Sequence, residues 1–424
     1  MSGAGPIPRL AFRSVANRQL TALLTILAIS LSMALFLGVQ KVKEGAEASF
    51  EQTVSGVDLI VGARGGDVNL ILYSVFHIGS PTANVTWQTY QEIDGLPEIA
   101  WTIPLALGDS HKGFRVVGTT DAFFEHYEYG RGQTVRFAGG GAFGDLFDVV
   151  IGADVARELG YEIGDQIVLS HGIGAVSFSQ HDNLPFRIAG ILDRTGTPVD
   201  RTLMVSLQAI EAIHVGWQSG APTQMARAVT PDRVRALDLQ PTQVTAFYVG
   251  MSSRTALLRY QRAINTYREE PLTAVIPAIA LRQMWDVIGV VEKTLSGVSL
   301  FVVFVGLLTI LTSILTSLNE RRREMSVLRA IGARPWHIFA LLVSEAALLA
   351  LAGGLLSLVI LYGGLALGGP AIESAMGVRL MGVRPGLLDA AAILAAVACA
   401  ALLAILPAWR AYRNSLADGL TVRL

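Results

Sequence analysis

The 424-residue chain is 52% hydrophobic and only 16% charged, with a mean hydropathy of +0.48, whereas a soluble domain carries about 25% charged residues. That deficit excludes a wholly soluble protein, and a net charge of -1 lacks the basic excess that nucleic acid selects. The single cysteine, Cys399, leaves no disulfide framework, and a cysteine-free soluble region is compatible with an oxidising compartment.

Residues 19–40 form the first apolar run, free of charge and preceded by Arg9, Arg13 and Arg18 without an acid. Its length exceeds the apolar core of a cleavable leader, so it reads as a retained membrane anchor behind a short N-terminal segment, residues 1–18. Residues 41–292 have ordinary globular composition and are long enough for two subdomains. Within them, residues 44–53 continue the first helix. Alternating or short apolar runs predict strands over 57–61, 114–118, 149–151, 166–170, 186–192 and 203–206. Helical spacing predicts helices over 87–93, 153–159, 207–213 and 254–267, which gives an α+β domain. Gly139, Gly140 and Gly141 predict a flexible turn, and residues 219–241 a join or cap between subdomains. Residues 275–291 lead back to the membrane, with Met284, Trp285, Ile288 and Val291 at helical spacing.

Three more runs follow at 293–318, 338–369 and 387–406, each long enough for the about 20 apolar residues that cross a bilayer. Between 294 and 318 no residue is charged, the third run holds only Glu345, and Asp389 sits at the outer margin of the fourth. Basic residues are retained on the cytoplasmic side. Arg9, Arg13 and Arg18, then Arg321, Arg322, Arg323, Arg329 and Arg334, then Arg410, Arg413 and Arg423 put both termini and residues 319–337 inside. The short loop 370–386, with Arg379 and Arg384, goes outside with the large domain, and 407–424 form an inner tail. The fold class is thus four membrane-spanning helices with a large extracytoplasmic α+β domain inserted between the first two. Small residues recur every fourth position (Ser30, Ala34 and Gly38; Gly353 and Ser357; Gly364 and Gly368; Ala392, Ala396 and Ala400), which lets helix backbones approach closely. Four helices enclose little, so a second copy is expected.

The most telling stretch is 320–333, ERRREMSVLRAIGA, a charged helix-former between two long apolar runs. Glu320, Arg321, Arg322, Arg323 and Glu324 form a water-exposed turn. Met325, Leu328 and Ile331 fall at helical spacing and offer an apolar stripe to a groove on a partner, Arg329 lies between them, and Gly332 and Pro335 end the helix. Positive-inside placement alone accounts for the arginines but not for the stripe. Glu345, an ionisable residue inside a span, is a candidate switch, with pairing to an arginine of the inner loop as the structural alternative.

Other motifs are discounted. Six histidines, His77, His111, His126, His171, His181 and His214, lie in the outer domain, and none shows the short spacing of a zinc motif. They read as ordinary histidines unless a few converge in three dimensions. Gly139, Gly141 and Gly144 match Gly-x-Gly-x-x-Gly without its strand, turn and helix context. No Gly-x-Ser-x-Gly elbow or carboxylate pairing suggests an active site, so the chain reads as a non-enzyme with no catalytic residue, cofactor or metal site. Residues 76–84, FHIGSPTAN, are turn chemistry first and a contact loop second.

With this topology the chain resembles the MacB/FtsX-type permeases of ABC systems, also called the type VII or mechanotransmission family. Glu320 to Ala333 is similar to that family's E-R-x-x-E-x-x-x-x-R-A-I-G-A signature. Ser344 and Glu345 followed by Gly353 and Gly354 resemble the start of its third span, and Pro407, Ala408, Arg410, Ala411 and Leu420 its closing tail. Arg13, Leu20 and Leu27 fit its approach to the first span. Residues 149–165 and 186–200 resemble the core of its periplasmic domain. The resemblance implies a bacterial inner-membrane permease subunit, two copies of which meet two copies of an ATPase that binds ATP and Mg. It also implies periplasmic motion for efflux, lipoprotein transport or activation of a cell-wall hydrolase, with a periplasmic adaptor or outer-membrane component as further partners. No Gly-x-x-x-x-Gly-Lys-Ser/Thr occurs in the sequence, so ATP hydrolysis is expected on a separate polypeptide. The alternatives are a membrane-anchored sensor or scaffold without an ATPase, and a periplasmic metal-handling protein, which requires histidines to converge.

Overall fold

The computed structural model describes residues 19–172, 181–218, 221–222, 229–320, 325, 327, 329–330, 332–376 and 384–413. The chain divides into two compact units, one of residues 1–45, 289–372 and 380–424 and the other of residues 46–288 and 373–379.

The long helices are Gln19–Thr53, Pro277–Glu320, Pro335–Met376 and Leu387–Arg413. Their membrane-spanning stretches are Gln19–Gly45, Gly289–Thr316, Pro335–Gly369 and Leu387–Arg410. Large apolar side chains such as Leu24, Leu31, Phe301, Val359 and Leu394 are exposed along them. Water would penalise that surface, and lipid does not. The inward faces are close-packed instead: Ile29 and Met33 of the first span, Ile310 and Ile314 of the second, Leu342 and Ala346 of the third and Ala400 and Ala404 of the fourth share one core. Small residues allow that approach. A Cβ on Gly353 would lie 2.7 Å from Ile29 Cγ2, and one on Gly354 2.9 Å from Ile393 Cγ2. Ser30, Ser357, Ala396 and Ala400 are likewise buried, whereas a Cβ on Gly364 or Gly368 would meet nothing within 4 Å among the described residues. The fourth helix runs through Pro407 to Arg413.

The outer domain is built on an eleven-stranded sheet. Its strands in chain order are β1 Leu59–Ala63, β2 Ile99–His111, β3 Phe114–Thr119, β4 Phe137–Gly140, β5 Asp148–Ile151, β6 Gln166–Ile167, β7 Ser170–His171, β8 Phe186–Leu192, β9 Thr202–Ser206, β10 Ala246–Met251 and β11 Leu272–Val275. The spatial order is β11-β1-β10-β2-β3-β9-β5-β8-β4, with β7 on β2 and β6 on β8. β3 with β9 and β5 with β8 are parallel, and the other ladders are antiparallel. The thirteen residues of β2 join the two halves: 99–105 pair with β10 and 106–111 with β3. Separate apolar clusters cover the halves, one around Leu59, Phe247 and Ala274, another around Val149, Phe186 and Leu203.

β2 lies where no strand is expected from the sequence, because it is buried over most of its length and carries Pro104 and Gly108, so it neither alternates nor avoids breakers. The expected turn at Gly139 to Gly141 is also corrected. Gly139 and Gly140 pair with β8 as the sheet's last strand, and Gly140 combines φ +71° with a Cβ position 2.0 Å from Ala189 O, which only glycine accepts. The stretch expected to join or cap subdomains holds a helix at Pro231–Arg235, and its residues 219–220 and 223–228 lie outside the described residues.

Candidate functional sites

In the membrane unit, polar groups collect at the outer ends of the spans. Gly386, Leu387 and Leu388 open the fourth helix, and Asp389 accepts from Gly386 N at 2.7 Å, satisfying a donor left over at the helix start. The same Oδ2 accepts from Tyr362 Oη of the third span at 2.7 Å, and Oδ1 lies 3.8 Å from Lys41 Nζ of the first. Asp389 and Lys41 are 2% and 6% exposed, so Asp389 is more than a boundary residue. It ties three helices. Lys43 pairs with Glu292 at 2.9 Å and Gln40 donates to Ser296 at 3.2 Å, which joins the second span to the first. Below this belt a groove of about 810 Å³ runs between the first, second and fourth spans, lined by Met33, Phe304 and Ala395 among others.

By helix direction the opposite end carries the segment between the second and third spans. There Gly332 takes φ +105°, its N–H bonds Arg329 O at 3.1 Å, and Pro335 opens the next helix, a position where a missing N–H costs nothing. His337 Nδ1 accepts from Arg334 N at 3.0 Å. Met325 is half-buried and packs, like Phe339, on the core of its own unit, whereas Val327 is 54% exposed. Arg329 is half-buried. Arg321, Arg322, Arg323, Glu324, Leu328 and Ile331 lie outside the described residues, as does the side chain of Glu320. Glu345 is buried in the third span, 6% exposed, beside the fully buried Ala346.

The outer domain brings together what sequence spacing kept apart. Asp109 and His171 are direct cross-strand partners in the β2 to β7 ladder. His214 follows the helix Leu207–Ile213, and His181 is held by its N–H to Leu169 O at 3.0 Å. One ligand atom from each of these four residues lies within 4.8 Å of the others. His171 Nδ1 is 3.2 Å from Asp109 Oδ1 and 3.2 Å from His214 Nε2. His214 Nε2 and His181 Nε2 are 3.8 and 4.0 Å from the same carboxylate oxygen. Trp217 packs its ring on all three imidazoles, with centroids 4.9 to 5.9 Å apart. Hydrogen bonding to Asp109 raises the His171 pKa, whereas burial pushes His181 down to about 4. His111, though close in sequence to Asp109, is committed elsewhere: Nδ1 meets Val168 O at 2.7 Å and Nε2 meets Tyr161 Oη at 2.8 Å. His126 stacks on Trp101, and His77 meets Thr202 Oγ1 at 3.1 Å. The only sequence signal for the cluster was the abundance of histidine in this domain.

Residues 22–267 match the MacB-like periplasmic core domain, and residues 296–416 match the FtsX-like permease C-terminal family. The chain is 23% identical over 392 residues to a pyoverdine export ATP-binding/permease protein, PvdT, of Pseudomonas syringae pv. tomato, covering 91% of this chain and 54% of that protein. It is 23% identical over 414 residues to a macrolide export ATP-binding/permease protein, MacB, of Nitrobacter winogradskyi, covering 96% and 58%. The chain thus spans little more than half the length of these curated relatives. Among solved structures, the periplasmic region of MacB from Actinobacillus actinomycetemcomitans aligns with TM-score 0.33 and 9% identity, over 55% of this chain and 94% of that one. With the two matches lying in tandem over most of its length, the chain belongs to the ABC transporter permease family that joins a MacB-like periplasmic core domain to an FtsX-like C-terminal region.

Proposed function

We propose that these 424 residues work in the bacterial inner membrane as the permease part of an ABC export system, with both ends and the segment 319–337 inside the cell. ATP binding and hydrolysis occur on domains outside this sequence stretch, and two copies of the permease pair around them. Each cycle pushes on the segment between the second and third spans and moves the outer domain, so that a compound is extruded from the periplasmic side. Export is also what the names of the two relatives describe for those proteins.

The observation that carries this reading is the position of the charged segment. It joins the second and third spans at the end opposite the Lys41, Glu292 and Asp389 belt, closed by the Gly332 turn and the Pro335 helix start. A charged segment in that place offers a docking element to a motor, and its exposed Val327 is available for contact. The test is Leu328→Asp in the full chain. Purified wild type is expected to hold an ATP-hydrolysing domain or subunit, and the variant to lose both that association and the ATPase activity. A sensor or scaffold would leave the variant silent, and that result would reject the transport reading.

A further inference from the structure

We propose that Asp109, His171, His181 and His214 form a four-ligand site for a divalent transition-metal ion, zinc being the ion that the donor set fits. The inference goes beyond the transport reading and does not depend on it. Three imidazole nitrogens and one carboxylate oxygen are a recurrent zinc donor set, with bonds of about 2.0 to 2.2 Å. Neighbouring donors around a tetrahedral ion then lie about 3.3 to 3.6 Å apart. Four of the six donor pairs stand at 3.2, 3.2, 3.8 and 4.0 Å and all six lie within 4.8 Å, so side-chain rotations that draw the donors inward close the shell.

A purely hydrogen-bonded cluster accounts for less. A His171 N–H to Asp109 Oδ1 explains one contact, but Asp109 Oδ2 and His181 Nε2 are buried with no hydrogen-bond partner among the described residues. Their side chains are 1% and 3% exposed. Unmet polar atoms at that depth are costly and rare; a cation held on Asp109 Oδ1 takes the His181 Nε2 lone pair and balances the charge of the buried carboxylate.

The surroundings suit an ion. His214 donates Nδ1–H to Ile210 O at 2.7 Å, which fixes the tautomer and turns the Nε2 lone pair into the cluster, as second partners of metal-bound histidines do. Trp217 supplies an apolar wall. The side chains of His171 and His214 keep 35% and 29% exposure, so the ion has a path in and out. Four protein donors fill a tetrahedral shell and leave no place for a reactive water. The site is therefore a clamp: it fastens β7, the chain before β8 and the end of helix Leu207–Ile213 to β2, and its occupancy changes the stability of the outer domain.

The experiment uses the full chain in detergent without a histidine tag, stripped with chelator, dialysed against zinc sulfate and analysed for metal content. One zinc per chain is expected, with a higher thermal midpoint that chelator reverses. Cobalt substituted for zinc is expected to give the intense visible bands of tetrahedral coordination. The double variant His171→Ala/His214→Ala alters two partly exposed side chains and is expected to bind zinc at least about tenfold more weakly, while His126→Ala binds as wild type. Asp109→Asn and His181→Ala should weaken binding too, and the cobalt spectrum of the wild type stands whether or not these buried variants fold. Metal-free wild type after dialysis, an octahedral cobalt spectrum, or unchanged affinity in the double variant would overturn the proposal.

Discussion

His77 shows how one residue sets a pH response. It takes φ +54°, and burial followed by the charge of Arg115 pushes its pKa down to about 4, whereas an unfolded histidine titrates near 6.5. The unfolded chain therefore binds this proton first as pH falls. The contribution is fully present above about 6.5, declines with acidification and levels off below about 4. We expect the thermal midpoint to drop between about pH 6.5 and 4, with a shallower drop in His77→Gln, a difference that separates His77 from the similarly depressed His181. Gly152 illustrates close approach rather than special backbone. Its φ is -70°, but a Cβ would lie 2.3 Å from Val199 O and 2.4 Å from Asp200 O. Since backbone cannot step aside, Gly152→Ala is expected to destabilise the outer domain by about 2 to 4 kcal/mol in a denaturant titration. The letters of residues 149–165 advertise a strand, a helix and a turn; that Gly152 abuts the 199–200 backbone is not written in them.

Among the elements, the helices were the legible part. A period near 3.6 with small residues four apart is a local signal of close helix contact, and Gly353 makes such a contact with Ile29. Gly353→Leu is expected to pry the first and third spans apart, lowering resistance to denaturing detergent by about 1 to 3 kcal/mol. Gly364 and Gly368, with equal spacing, face open space among the described residues, because spacing states what a helix permits and the neighbour decides what is used. The belt of charges behaves similarly. Lys41 and Asp389 are 348 positions apart by number and 3.8 Å apart in space. Removing one buried partner strands the other charge, so Lys41→Met is expected to cost about 3 to 5 kcal/mol, with part regained in Lys41→Met/Asp389→Asn. Detergent unfolding of the three proteins checks this, and an additive double variant would argue against coupling. β2 was hidden for the opposite reason: burial on both faces removes the alternation that marks a strand.

For the protein in its membrane the decisive question is which side each unit occupies. On the transport reading the charged segment faces the cytoplasm, the side that its arginine bias favours. With Cys399 replaced by Ala, Val327→Cys is expected to resist a membrane-impermeant maleimide in intact spheroplasts and to react after lysis, while Arg131→Cys in the outer domain reacts in both. Reversed labelling would invert the proposed direction of force. Val327 and Arg131 are both exposed in this chain, and the lysed sample is labelled after the ATPase has been removed.

Reading the letters in order was enough for the number of spans, the place of the inserted domain, and the charged segment between the second and third spans. Each is a property of consecutive residues: apolar length against bilayer thickness, charge counts beside each run, and a motif read within fourteen letters. Which distant residues meet is a matter for the folded chain. Asp109, His171, His181 and His214 sit on separate elements, and their convergence depends on the β2 to β7 register and on the end of helix Leu207–Ile213. Contacts between residues far apart in the chain are set by how the sheet folds back on itself, and no local period or spacing encodes them.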